Sequence, residues 1–245
     1  MNLVVDIGNT RTKLAFFEKN TLVEKAILET TALSWLSDRL QDGRRVDGAI
    51  LSATGQDTEG VENFLTNNLP YIKFGSETPI PIHNAYATPE TLGRDRLAAV
   101  IGANFLFPKQ NCLVIDGGTC ITYNFLSKTE TFIGGNIAPG LTMRFRAMNH
   151  FTAKLPLVER NIAISTLLGN TTETAMRAGA QIGLLSEVEG FVKRLENQEG
   201  KIKVILTGGD GQFLFDNLSL KEKYLEPHLV LQGLNQILNY HFQLK

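Results

Sequence analysis

At 245 residues with 43% hydrophobic side chains, the chain is long enough to bury a substantial core, as one large domain or as two lobes of ordinary size. Lysine and arginine number 24 against 25 acidic residues, a formal net charge of −1, which leaves no basic excess for a phosphate backbone and argues against DNA or RNA as a main partner. The first apolar run, Leu3 to Val5, is cut by Asp6, and no stretch of about 18 apolar residues follows, so the chain is expected to be soluble and cytoplasmic, with neither a leader nor a membrane span.

In chain order, the first predicted element is a hairpin. Leu3-Val4-Val5 reads as a strand, Asp6-Ile7-Gly8 opens the turn, and Thr12-Lys13 begins a second strand. Ala49-Ile50-Leu51-Ser52-Ala53 has the apolar run of a buried central strand. The stretch 96–107, with Leu97-Ala98-Ala99-Val100-Ile101 inside it, is apolar nearly all round and is predicted to be a helix buried in the core or at a subunit contact. Near 108–112 a lobe boundary is expected. Leu113-Val114-Ile115-Asp116-Gly117-Gly118-Thr119-Cys120-Ile121-Thr122-Tyr123 then repeats the outline of the opening hairpin. Gly135, Pro139 and Gly140 mark a rigid turn after a strand. In Met143-Arg144-Phe145-Arg146 two cations alternate with apolar residues on a predicted helix, read as a solvated or interface edge and not as a nucleic-acid patch. Over 172–195, Ala178, Ile182, Leu185, Val188, Val192 and Leu195 recur at three- and four-residue steps, and Thr171 or Thr172 is placed to cap the helix. Val204-Ile205-Leu206-Thr207-Gly208-Gly209-Asp210 is a second buried strand running into a turn.

Cys112 and Cys120 form neither a CxxC pair nor half of a zinc site, and His83, His150, His228 and His241 are scattered without ligand spacing. The informative pattern is the internal repeat. At the offset that pairs Asp6 with Asp116, Gly8 meets Gly118 and Thr12 meets Thr122, and one gap brings Thr10 onto Thr119. Strands mixed with helices imply an α/β fold, and duplication implies two similar lobes, 1–108 and 109–245, facing each other across a cleft.

An Asp-Gly hairpin standing alone is usually only a hairpin, but two copies in register place an acid, a glycine turn and a hydroxyl at each mouth. Turn N–H groups and the Thr10 and Thr119 hydroxyls suit an anion, Lys13 suits a transferring phosphoryl group, and Asp6 with Asp116 suits a cation beside a nucleotide. A Walker loop is absent: the Gly200-Lys201 pair is followed by Ile202.

Asp6-Ile7-Gly8-Asn9-Thr10 and Asp116-Gly117-Gly118-Thr119 resemble the two phosphate motifs of the acetate and sugar kinase, heat-shock-chaperone and actin superfamily, and Gly208-Gly209-Asp210 resembles its adenosine motif. Within it, Gly93-Arg94-Asp95-Arg96, the run Gly134-Gly135-Asn136-Ile137-Ala138-Pro139-Gly140-Leu141, and Gly169-Asn170-Thr171-Thr172 are similar to the type III pantothenate kinases. The resemblance implies two actin-like, ribonuclease H-like lobes of mixed sheet with helices and a nucleotide cleft between them. It further implies ATP-dependent phosphorylation of pantothenate to 4′-phosphopantothenate, the first step of coenzyme A synthesis, by a homodimer.

By the same resemblance Asp95 accepts the pantothenate hydroxyl proton, and Tyr86, Gly93, Arg94, Arg96 and Thr172 contact pantothenate. ATP lies on Asp6, Ile7, Gly8, Asn9, Thr10, Arg11, Thr12, Lys13 and Thr119. Magnesium is held by Asp6 through water, and a monovalent cation, potassium or ammonium, is held by Asp116. Spacing alone reads Asp95 as the cap of a helix starting at Arg96, and Arg96 as a surface charge. Two other readings are another small-molecule kinase of the superfamily and a non-catalytic transcriptional accessory protein.

Overall fold

A computed structural model describes residues 1–8, 11–29, 33–41, 44–53, 58–159 and 166–243. Asn9 and Thr10, expected at the first turn, lie outside them. The elements run β1 (Asn2–Ile7), β2 (Thr12–Glu18), β3 (Thr21–Leu28), α1 (Leu33–Gln41), β4 (Gly48–Ala53), α2 (Glu59–Asn68), β5 (Tyr71–Lys73), β6 (His83–Asn84) and α3 (Arg94–Leu106). They continue with β7 (Cys112–Gly117), β8 (Cys120–Ser127), β9 (Thr131–Pro139), α4 (Leu141–His150), α5 (Thr172–Glu199), β10 (Lys203–Thr207), α6 (Gly211–Asn217), β11 (Lys223–Leu225) and α7 (Leu229–Gln243). No helix among the described residues is long and apolar enough to cross a membrane.

Two compact units result: Met1–Pro108 with Glu130–Phe132 and His228–Lys245, and Lys109–Thr129 with Ile133–Pro227. The sheet of the first has the order β3-β2-β1-β4-β5, with β1 antiparallel to β2 and parallel to β4. The second repeats this plan as β9-β8-β7-β10-β11, with β7 antiparallel to β8 and parallel to β10. The short β6 pairs in parallel with Thr131 and Phe132, which belong to the first unit.

Register corrects one detail of the repeat. Ile7 pairs with Thr12 and Asp6 with Lys13, whereas Gly117 pairs with Ile121 and Asp116 with Thr122. The second turn is one residue shorter, closed by Gly118 N–H donating to the Cys120 carbonyl (2.9 Å) where the first has Gly8 N–H donating to Arg11 (3.0 Å). Thr122 is therefore the counterpart of Lys13, and not of Thr12 as ungapped alignment gives.

Strand alternation sorts β1 onto two faces. Leu3, Val5 and Ile7 pack with Leu14, Phe16, Leu36, Val61 and Leu65 into one core. Asn2, Val4 and Asp6 take the opposite face, where Asn2 Nδ2 donates to Asn235 Oδ1 (2.8 Å) and Asn239 Oδ1 (2.7 Å) of α7, and Asn235 Nδ2 donates to the Lys19 carbonyl (2.8 Å). Closing the chain end onto β1 through buried amides is costly unless each is bonded, which this network achieves. In the second unit Leu113 and Ile115 of β7 join Tyr123, Phe125, Leu184, Val188, Leu206 and Leu214 in a separate core.

Helix α3 starts two residues before the predicted Arg96, and its stretch Leu97 to Ile101 is at most 4% exposed. Its cover is α7 of the same unit, where Cα atoms replace side chains at the crossing: a Cβ on Gly102 would lie 2.5 Å from the Leu229 carbonyl oxygen, and one on Gly233 would strike the Ala98 carbonyl. This burial occupies the apolar run that sequence offered as a subunit contact. It also draws α7 into the first unit, where the sequence-based division placed 109–245 together. Helix α5 extends four residues past the predicted end, and Thr171 is its cap, with a reciprocal pair of bonds to Thr174: Thr174 N–H to Thr171 Oγ1 (3.2 Å) and Thr171 N–H to Thr174 Oγ1 (3.0 Å).

Candidate functional site

In the first unit the site is built at the end of β1. Register sets Lys13 of β2 and Ser52 of β4 on either side of Asp6, all three on one sheet face. Asp6 is 6% exposed, and burial raises its pKa. The Lys13 charge opposes that rise, the negative charge of Asp95 adds to it, and the Ser52 hydroxyl favours the ionised form. Ser52 Oγ itself is fully buried and makes no hydrogen bond of good geometry among the described residues.

Asp95 comes from the first turn of α3, whose cap residue is Gly93 and whose first residue is Arg94. The Asp95 Oδ1 accepts from the Arg96 N–H at 2.8 Å, so the carboxylate is both a bond to the helix start and a charge felt by Asp6. Arg96 is not a surface charge: it is 6% exposed, with its guanidinium 5.5 Å from the Tyr86 ring centroid. Tyr86 stacks in turn on Phe132 at 5.9 Å, and its N–H donates to Asn84 Oδ1 (3.1 Å). Beside them a cavity of about 270 Å³ is walled by Ile80, Ile82, Leu97, Thr78, Asn84 and Arg94. Ile7 and Thr12 are buried as strand ends, and Gly8 and Arg11 close the turn.

The second unit repeats the core of this arrangement. Asp116, half-buried at the end of β7, has Thr122 of β8 and Thr207 of β10 as register neighbours. Gly208, at φ +84°, passes directly over Asp116 Oδ1, where any Cβ would collide, and the Asp210 N–H bonds the Gly117 carbonyl at 2.8 Å. Thr119 is exposed on the turn, and its carbonyl accepts from the Gly140 N–H at 3.2 Å. Thr172 is exposed as the first residue of α5.

Asp6, Lys13, Asp95, Arg96 and Tyr86 are thus assembled within the first unit, and Asp116, Thr119 and Thr172 fall in the second. Sequence reasoning passed over Ser52 and Thr207, which are 0% and 2% exposed. Ser52 is the penultimate residue of β4 and Thr207 the last of β10, each a small hydroxyl residue following an apolar run, a signal that becomes readable once β1 and β7 are aligned on their acids.

Solved structures fix the class first. A Campylobacter jejuni protein described as a Baf family transcriptional activator shares the fold with a TM-score of 0.64, at 21% identity over 98% of this chain and 99% of that one. A glucokinase from an Antarctic psychrotroph shares it with a TM-score of 0.51, at 15% identity over 98% of each. The chain therefore has the mixed α/β, two-sheet fold of actin-like ATPases and sugar kinases. Its family is narrower: residues 2–194 match the model of the type III pantothenate kinases, and the type III pantothenate kinase of Phocaeicola vulgatus is 41% identical over the whole of both chains. The chain belongs to the type III pantothenate kinase family and is an enzyme of that class.

Proposed function

We propose that this enzyme transfers the γ-phosphoryl group of ATP to the pantothenate hydroxyl, giving 4′-phosphopantothenate and ADP, in the cytoplasm and as a homodimer. The supporting observation is the meeting of Asp95, Asp6 and Lys13: the start of α3 brings a carboxylate within electrostatic range of the first hairpin's acid and lysine. Asp95 orients the hydroxyl and takes its proton as oxygen bonds to phosphorus and the bond to the ADP oxygen breaks. In so loose a transition state a carboxylate acts mainly by alignment. Arg96, dry and braced on Tyr86, is suited to a carboxylate such as that of pantothenate, with Gly93, Arg94 and Thr172 completing the acceptor contacts. Lys13, Thr10, Thr119 and the turn N–H groups hold the phosphates, with Asp6, Ile7, Gly8, Asn9, Arg11 and Thr12 forming the rest of the nucleotide contact.

The oxygen donors fit cations. Asp6 is a buried carboxylate that meets the repulsion of Asp95, which a hydrated magnesium would relieve, and Asp116 lies next to two threonines, an all-oxygen set suited to potassium or ammonium. Bound cations would offset phosphate charge. The test is purified protein with ATP, magnesium, potassium and pantothenate, read by mass detection of 4′-phosphopantothenate. Asp95→Asn is expected to lower turnover by roughly 10²- to 10⁴-fold with the melting temperature little changed. Absence of product from the unaltered protein would refute the reading.

A further inference from the structure

The turn carrying Thr119 is held from behind by a chain of hydrogen bonds within the second unit. Gly140 N–H donates to the Thr119 carbonyl (3.2 Å), and a Cβ at position 140 would strike the Gly118 and Thr119 carbonyls, so the start of α4 sits directly on the turn. The residue before it, Pro139, accepts at its carbonyl from Arg144 Nε (2.9 Å). Arg144 Nη2 is paired with Glu187 Oε2 (2.5 Å), and Glu187 Oε1 accepts from the Tyr123 hydroxyl (2.7 Å). Three elements, β8, α4 and α5, thus converge on one guanidinium that fixes one backbone carbonyl. Of the two cations that the sequence places on a solvated or interface edge, Arg146 is exposed, whereas the Arg144 side chain is only 20% exposed and turned into this network.

A stability role is a weak explanation for this arrangement. The Glu187 side chain is 37% exposed, and an ion pair of that kind contributes only about 0–1 kcal/mol. What the pair does supply is direction: Arg144 cannot reach both Pro139 and Glu187 in more than a narrow range of rotamers. Burial and the Glu187 acceptor push the Tyr123 phenol's pKa up, so it remains a donor to Glu187 throughout the working range.

On the reading that Thr119 contacts the nucleotide, on which this rests, we propose that Arg144 and Glu187 are positioning residues that set the Gly118-Thr119 turn for ATP. Neither touches substrate. Their effect is carried by the Pro139 carbonyl and the Gly140 N–H, and it falls on nucleotide affinity and not on the acceptor.

The experiment uses the full chain and the variants Glu187→Gln, Arg144→Lys and Tyr123→Phe. ATP affinity is read by calorimetric titration with magnesium, and KM for ATP and for pantothenate by steady-state rates. Glu187→Gln and Arg144→Lys are expected to weaken ATP binding and raise its KM roughly three- to thirtyfold. The pantothenate KM should stay within about twofold, and Tyr123→Phe should have a smaller effect of the same kind. Unchanged ATP affinity in both Glu187→Gln and Arg144→Lys, or equal rises in the two KM values, overturns the proposal even if melting temperatures fall. Should Glu187→Gln not fold, Arg144→Lys decides, since it keeps the ion pair and loses the Nε bond. If the unaltered protein binds ATP but does not phosphorylate pantothenate, the acceptor assignment alone fails and the titration still judges the network. If it binds no ATP, both fall.

Discussion

Asp6 is 6% exposed, and burial pushes its pKa above the ordinary 3.8, so the fold disfavours its ionised form. Lys13 offsets part of that cost and Asp95 adds to it. The sign of the stability effect follows. Between 3.8 and the raised native value the folded chain binds more protons than the unfolded one, so the Asp6 contribution to stability is full below 3.8 and is lost as pH rises through the native pKa. Asp6→Asn removes this slope. Melting temperatures measured from pH 3.5 to 8 are expected to coincide at the acid end and to separate as pH rises, with the variant the more stable. Equal curves throughout would mean that Lys13 fully compensates the buried charge. Such a site, expensive to the fold and adjacent to a second carboxylate, is the kind of cost that function retains.

Helix α3 shows what periodicity can and cannot reveal. Its apolar circumference gave away the burial, but not the partner, because α7 lies more than a hundred residues later and carries an apolar face that many surfaces would accept. The glycines were the unread signal. Gly102 and Gly233 each lower helix propensity by about 1 kcal/mol relative to alanine, and they stand in helix interiors where the two backbones meet. Close approach outweighs propensity there, so Gly233→Ala, although it improves the isolated helix, is expected to destabilise the protein by about 1–3 kcal/mol. Urea denaturation should show a lower midpoint at unchanged slope. A neutral or stabilising result would mean that α7 shifts freely on α3. By contrast α5 was legible almost to its ends, since its apolar steps and its threonine cap are local features, whereas β6 and β11, two and three residues long, carry too little pattern to announce themselves.

Across the molecule the duplication is the deepest regularity, and the spacing of Asp6, Gly8, Asp116 and Gly118 alone makes it legible. Strand order repeats in full, yet the turns differ by one residue, so similarity faded where Lys13 gives way to Thr122. The placement of Asp95 depends on tertiary packing, and only the family resemblance carried it. What register adds is a second duplicated pair: Asp6 with Ser52 and Asp116 with Thr207, each acid beside a buried hydroxyl on the neighbouring parallel strand. If both hydroxyls serve their acids, removing them should give two different signatures. The Ser52 hydroxyl favours ionised Asp6, so Ser52→Ala raises the Asp6 pKa further and moves the acid limb of the pH profile of kcat/KM to higher pH. On the proposal that Asp116 holds potassium, Thr207→Val keeps the shape and drops the oxygen next to it, so the potassium concentration for half-maximal rate should rise roughly tenfold, with the acid limb unmoved. Crossed or absent effects would assign the two hydroxyls to packing, and the repeat would then be a shared scaffold on which only the acids work.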